Sequence, residues 1–303
     1  MNELIHPGLD GFLKTVLDED IGTGDVTALS CVSESAVSKG AFIAKEPGII
    51  SGMSVLTRVF ELLDSAVLVT AHKNDGDSVK GGDIIAEISG PSRAILTGER
   101  TALNLLQHMS GIATRTAEAV GEIKDTKTKI LDTRKTTPGM RVLDKYAVTC
   151  GGGVNHRLNL ADAVLIKDNH IKAAGGITNA VSKARSAMTD SFASPEETGS
   201  ELKDKTVFTK NGALTGFVEV ETESLCQVKE ALAAGADIIM LDNMPPEMMA
   251  EAVRLVNGKA LTEASGNMGE RDLRTIANTG VDFISIGALT HSVKAMDISL
   301  RFE

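Results

Sequence analysis

Residues 216–243 read GFVEVETESLCQVKEALAAGADIIMLDN, and the reading of that stretch decides the fold. GFVEVE and DIIMLDN are apolar runs of strand length. The Ala-rich segment SLCQVKEALAAG between them is amphipathic at helical spacing. Each strand passes from apolar to charged residues at its carboxyl end, where Glu221 and Asp242 stand. A strand, a helix and a second strand of these lengths form one parallel βα unit.

The same rhythm extends outward from residue 129. KILDTRKT, AVLIKDNH, ALTEASG and FISIGAL read as further strands, and ITNAVSKARSAM, PPEMMAEAVRLV and ERDLRTIANTG as the helices between them. In a parallel α/β barrel the site forms at the carboxyl ends of the strands, so Arg134, Lys135, Lys167, Glu221, Asp242, Ser265 and Gly287 are expected at one mouth. The polar stretch from about 190 to 215 interrupts the rhythm and contains an Asn-Gly turn, which suits a surface hairpin.

Residues 1–112 differ in texture. GAFIAKEPGIISG and HKNDGDSVKGGDIIAEISG are short strands broken by Gly and Asp turns, and TGERTALNLLQHMSGIATRTAEAVGEI carries one or two helices. An N-terminal α/β domain of 1–112 is therefore expected before a barrel domain of 113–289. The tail of about 290–303 is expected to return to the first domain. DGDSVKGGDIIAEI also looks like a biotinyl or lipoyl carrier turn, but no Lys sits at a hairpin tip in a modification motif.

Composition narrows the function. The 303 residues carry a formal net charge of −10 and only 3% aromatics, so neither the cationic face nor the stacking platform of a nucleic-acid binder is present. There is no apolar run long enough to span a membrane and no secretory leader at the start, which points to a cytoplasmic protein. Cys31, Cys150 and Cys226 form no paired motif, so neither a disulfide framework nor a zinc site is expected.

Three constellations carry the chemistry. Arg134 and Lys135 in DTRKT, His156 and Arg157 in GGGVNHR, and Lys167 in LIKDN bring cations to strand ends of an acidic protein, a pocket for a polyanion. Arginine suits carboxylates because its planar fork donates two parallel hydrogen bonds. Glu221 and Asp242 end successive strands and offer hard oxygen ligands to Mg2+, or acceptors to ribose hydroxyls. Glu219 is assigned to the opposite side of its strand from Glu221. Ser265, Gly266 and Asn267, then Ser285 and Gly287, lie where late barrel strands commonly hold a phosphate. No triad and no HExxH spacing is present, so covalent and zinc hydrolysis are poor fits.

DIGTGDVT, GERTALNLLQHMSGIAT, DTRKTTPGMR, GGGVNHR, LIKDNH, VEVE, IIMLDN, EASGN and SIGALTHS together resemble the decarboxylating quinolinate phosphoribosyltransferase family over nearly the whole chain. The resemblance implies an N-terminal α/β sandwich followed by an incomplete α/β (TIM-like) barrel. It implies a homodimer in which Arg100 of GERTALN reaches the partner's site. By the same resemblance Thr133, Arg134, Lys135, His156, Arg157 and Lys167 meet quinolinate and pyrophosphate, with Lys135, Glu221 and Asp242 as the catalytic group. Glu221 and Asp242 then hold ribose and Mg2+, and the loops at 265–267 and 285–287 take the 5-phosphate of 5-phosphoribosyl-1-diphosphate. The stretch near 190–215 is longer than the family's usual link between Lys167 and Glu221. Competing readings are a paralogous phosphoribosyltransferase-like protein associated with molybdate transport, a phosphate-binding-barrel lyase, and a carrier module; the intact DTRKT and NHR segments favour the first-named family.

Overall fold

The computed structural model describes residues 4, 6–191, 201–202, 206–208 and 214–303. They fall into two compact units. One comprises Met1–Ala117, Thr137–Gly152 and Val293–Glu303; the other comprises Glu118–Thr136 and Gly153–Ser292. The second unit is thus not the continuous stretch 113–289, because residues 137–152, which include the helix Arg141–Cys150, pack with the first.

The first unit contains an antiparallel sheet ordered Ile298–Phe302, Val37–Ala44, Ile84–Pro91, Leu68–Ala71. On Val37–Ala44 the buried positions are Gly40, Phe42 and Ala44, the period of two expected when one face is covered. The helix Met53–Leu63 buries Val55, Leu56, Val59 and Phe60, a stripe at helical spacing. Phe60 and Phe42 stand with ring centroids 6.2 Å apart. The helix starts at Gly52 (φ 108°), and the buried Asp75 carboxylate accepts the Gly52 and Met53 N–H groups at 2.8 and 2.9 Å. Tyr146 Oη donates to the other Asp75 oxygen at 2.7 Å. Asp75 belongs to the DGDSVKGGD turn, so its carboxylate serves as a helix cap. The GERTALN segment lies in a single helix, Ser92–Glu122.

The second unit is built on six parallel strands: β1 (Lys129–Leu131), β2 (Val164–Ile166), β3 (Val218–Thr222), β4 (Ile238–Asp242), β5 (Leu261–Ser265) and β6 (Phe283–Ser285). Their order is β1-β6-β5-β4-β3-β2. The strands follow one another as in a closed barrel, except that β1 and β2 form the two edges, with a lone bridge from Leu131 to Val154 beside the gap. This is an incomplete α/β barrel. Helices Leu225–Ala233, Pro246–Val256 and Leu273–Ala277 return the chain from one strand to the next. Leu131, Ala163, Leu214, Phe217, Ile238 and Phe283 form a buried apolar cluster.

Most of the polar stretch 190–215, including its Asn-Gly turn, lies outside the described residues. Thr206–Phe208 pairs antiparallel with Leu214–Thr215 and with Glu201–Leu202. Among the described residues no helix is long and apolar enough to cross a membrane.

Candidate active site

A cavity of about 640 Å³ opens at the carboxyl ends of the barrel strands. Thr133, Arg134 and Lys135 after β1, His156 and Arg157, and Lys167 after β2 line it together with Glu221, Asp242, Ser265, Gly266, Asn267, Ser285 and Gly287. Every expected residue of the barrel thus borders one space. Arg100 lies in the first unit, exposed on the helix Ser92–Glu122.

The basic wall is anchored from below. The fully buried Asp132 accepts the His156 N–H at 2.8 Å, tying the loop after β1 to the NHR segment. Arg157 donates through Nη1 to the Ala163 carbonyl at 2.8 Å. Burial and the Arg134 charge hold the Arg157 guanidinium below its usual pKa. The buried Arg134 Nε has no hydrogen-bond partner. A buried donor without an acceptor is costly, and an anionic ligand would relieve both strains.

On the acidic side, Lys167 Nζ is 3.1 Å from Glu221 Oε2. Glu221 shares a register row with Met240 and Glu263, two rows below Asp242 and Ser265. Glu219 corrects the expectation for it. Positions two apart on a strand share a face, and Glu219 points inward with Glu221, its Oε2 2.8 Å from His156 Nε2.

Several residues at this mouth escaped the sequence reading. Asn243 follows Asp242 in a left-handed conformation (φ 55°) and donates through Nδ2 to Asp242 Oδ2 at 2.8 Å. Its side chain occupies the space where a Cβ on Gly266 (φ 98°) would lie. The Asn243 N–H donates to the Ser265 carbonyl at 3.0 Å, so this one residue joins the β4 carboxylate to the loop after β5. Asn tolerates the left-handed region better than most residues, and the Asp-Asn pair was the available signal. Glu263 and His291 also line the cavity.

His156, Glu219 and Glu263 bring their donor atoms within 4.8 Å of one another. His156 Nδ1 accepts the Arg157 N–H at 2.8 Å, which places the imidazole proton on Nε2. The cluster is accordingly read as a hydrogen-bonded one, with Nε2–H donating to Glu219.

The profile of the quinolinate phosphoribosyl transferase C-terminal domain matches residues 112–206 and 202–301, and that of the N-terminal domain matches residues 25–110. A probable nicotinate-nucleotide pyrophosphorylase [carboxylating] of Bacillus subtilis (strain 168) is 45% identical over 97% of this chain and 93% of its own length. The chloroplastic nicotinate-nucleotide pyrophosphorylase [carboxylating] of Arabidopsis thaliana is 43% identical over 98% of this chain and 84% of its own. The structure of the nicotinate-nucleotide pyrophosphorylase from Francisella tularensis superposes with a TM-score of 0.87 at 40% identity, covering 100% of both chains. With both of its units matched in this way, the chain belongs to the quinolinate phosphoribosyl transferase family.

Proposed function

We propose that the protein joins quinolinate to 5-phosphoribosyl-1-diphosphate, releasing pyrophosphate and carbon dioxide and yielding nicotinate mononucleotide, a step of NAD biosynthesis. The observation that carries this reading is one cavity holding three kinds of wall. Arg134, His156 and Arg157 make a basic wall, Glu221 and Asp242 an acidic one, and the backbone loops at 265–267 and 285–287 a third.

Each wall has a task. Arg134 and Arg157 bind the two carboxylates of the acid and hold its ring nitrogen toward the sugar, with the His156 ring set beside them by its bonds to Glu219 and the Arg157 N–H. Glu221 and Asp242 accept the ribose hydroxyls. Lys135 and Lys167 neutralise the departing pyrophosphate while the sugar C1 gains oxocarbenium character. The ring nitrogen bonds to C1 as the C1–oxygen bond breaks. The nitrogen is then cationic, and the bond to the neighbouring carboxylate breaks with its electron pair left beside that positive charge, to be taken up by a proton. The loops at 265–267 and 285–287 hold the 5-phosphate by backbone N–H groups.

Glu221 and Asp242 also fit Mg2+, since two hard carboxylates on neighbouring strands face the same cavity. Bound there, the ion supplies charge neutralisation to the diphosphate.

We also propose a homodimer with Arg100 entering the partner's site. Leu96, exposed four residues before Arg100 on the same helix face, supports it. So do exposed Val26 and Leu29 on the short helix Val26–Cys31, which Arg93 ties to its own helix through the Val32 and Leu29 carbonyls. Buried or exposed, the three cysteines are unpaired, which agrees with a cytoplasmic setting.

The test is an assay of purified protein with quinolinate and the phosphoribosyl donor, with and without Mg2+, following nicotinate mononucleotide and carbon dioxide. Turnover of quinolinate without the donor, or none with it, would reject the reading.

A further inference from the structure

Under the basic wall lies a pair of acids that the proposed chemistry leaves unused. Glu219 on β3 and Glu263 on β5 are both 0% exposed. His156 Nε2 is 2.8 Å from Glu219 Oε2 and 3.7 Å from Glu263 Oε2. Its single Nε2 proton is committed to Glu219, because Nδ1 already accepts from the Arg157 backbone. Glu219 Oε1 and both Glu263 oxygens then lack any hydrogen-bond partner.

Two ionised carboxylates in such a place would combine like-charge repulsion with unmade hydrogen bonds, each costly in a buried setting. A proton on one of them removes the repulsion and creates the missing donor. Glu219 is the acid that receives the His156 N–H, at 2.8 Å, a bond that favours its charged form. Glu263 stands 3.7 Å from the same nitrogen, beyond hydrogen-bond reach of it, with the Ser285 side chain as its other polar neighbour. We propose that Glu263 is held as a neutral carboxylic acid donating to Glu219, and that this pair is a positioning element which fixes His156 and, through it, the Arg157 segment. Burial, reinforced by the Glu219 charge, pushes the Glu263 carboxyl well above its ordinary range.

The protonated pair carries one negative charge instead of two, so the field of Arg134 and Arg157 stays available to a dianionic acceptor. This role rests on the acid-binding reading above. The neutral state of Glu263 does not.

The experiment has two arms on the full chain. Infrared spectra in heavy water at neutral pH should show the carbonyl band of a protonated carboxylic acid in the wild type and lose it in Glu263→Gln. Calorimetric titration with quinolinate alone, beside steady-state kinetics, compares the wild type with Glu263→Ala and Glu263→Gln. The Ala variant should weaken quinolinate binding about tenfold, the worth of one unmet buried hydrogen bond, with the KM for the phosphoribosyl donor little moved. The Gln variant, which keeps the shape and the donor without the charge, should restore most of that loss. Absence of the band, or a Gln variant as weak as Ala, overturns the proposal. If the Ala variant fails to fold, the band and the Gln titration decide alone. A wild type that shows the band but binds no quinolinate rejects the acid-binding reading and the positioning role with it, and leaves the neutral acid standing.

Discussion

The Lys135 side chain lies across Gly287, so near that a Cβ at position 287 would stand 3.1 Å from Lys135 Cδ. The loops after the first and last barrel strands therefore meet through a lysine stem and a bare backbone. Gly287 has ordinary right-handed torsions (φ −64°, ψ −30°), so alanine costs no backbone strain there. The methyl would instead press on the flexible lysine stem and on the His291 ring, whose Cδ2 is equally near at 3.1 Å. Gly287→Ala should leave the thermal midpoint nearly unchanged while lowering kcat/KM for the phosphoribosyl donor by roughly tenfold or more, as expected when a charged group is moved from its working position. Unimpaired kinetics would show that Lys135 need not lie where it does.

Quinolinate should be preferred to nicotinate by a factor of about 100 or more in kcat/KM. The monoacid leaves buried cationic donors unpaired, and a site built for a polar group discriminates strongly against a ligand lacking it. Steady-state rates with both acids measure the ratio, and similar values would remove the two-carboxylate argument for Arg134 and Arg157.

Stability should depend on Glu263 in a stated direction. Burial first, then the Glu219 charge, raise its pKa from 4.5 to about 8. Around it stand Glu219 from β3, His156 from the NHR segment and Ser285 from β6. Above the ordinary carboxylate range the unfolded chain has released this proton while the folded protein retains it, so unfolding free energy falls as pH rises toward 8. Its contribution is complete below the unfolded value and gone above the folded one. Urea midpoints followed across that window should decline less steeply for Glu263→Gln than for the wild type. Parallel slopes would mean that Glu263 is ionised throughout.

Arg100→Ala and Lys135→Ala homodimers should each be inactive, whereas mixing them should restore roughly a quarter of wild-type activity, because half of the randomly exchanged dimers carry one intact site. Activity after demonstrated subunit exchange is the readout. Absence of recovery would return Arg100 to its own subunit.

Much of this site could be read in advance because each barrel strand announces its carboxyl end by a change from apolar to polar residues, as at Leu241 and Asp242. Residues inside the strands were harder. Glu219 shares the inward face with Glu221, against the expectation, and Glu263, flanked by Thr262 and Ala264, carries no local sign that a buried acid takes an interior barrel position. Its environment comes from His156 and Glu219, 107 and 44 residues away in the chain, and no periodicity encodes that meeting. The assignment of residues 137–152 to the first unit was hidden for the same reason. They follow β1 directly, yet Tyr146 is fastened to Asp75 and Asp144 to His108. The bond between Asn243 and Asp242 needed a torsion angle that the letters DN permit but do not demand.

The pairing of Ile298–Phe302 with Val37–Ala44 bears on how the chain is made. During synthesis Val37–Ala44 emerges early, while its partner on one side arrives only after every barrel strand. Until then that side of the strand offers unpaired N–H and C=O groups to any other nascent chain. The pairing also has a very long sequence separation, which slows closure. The first unit is therefore begun first and finished last, and a ribosome stalled anywhere before residue 298 holds a protein with an open sheet edge.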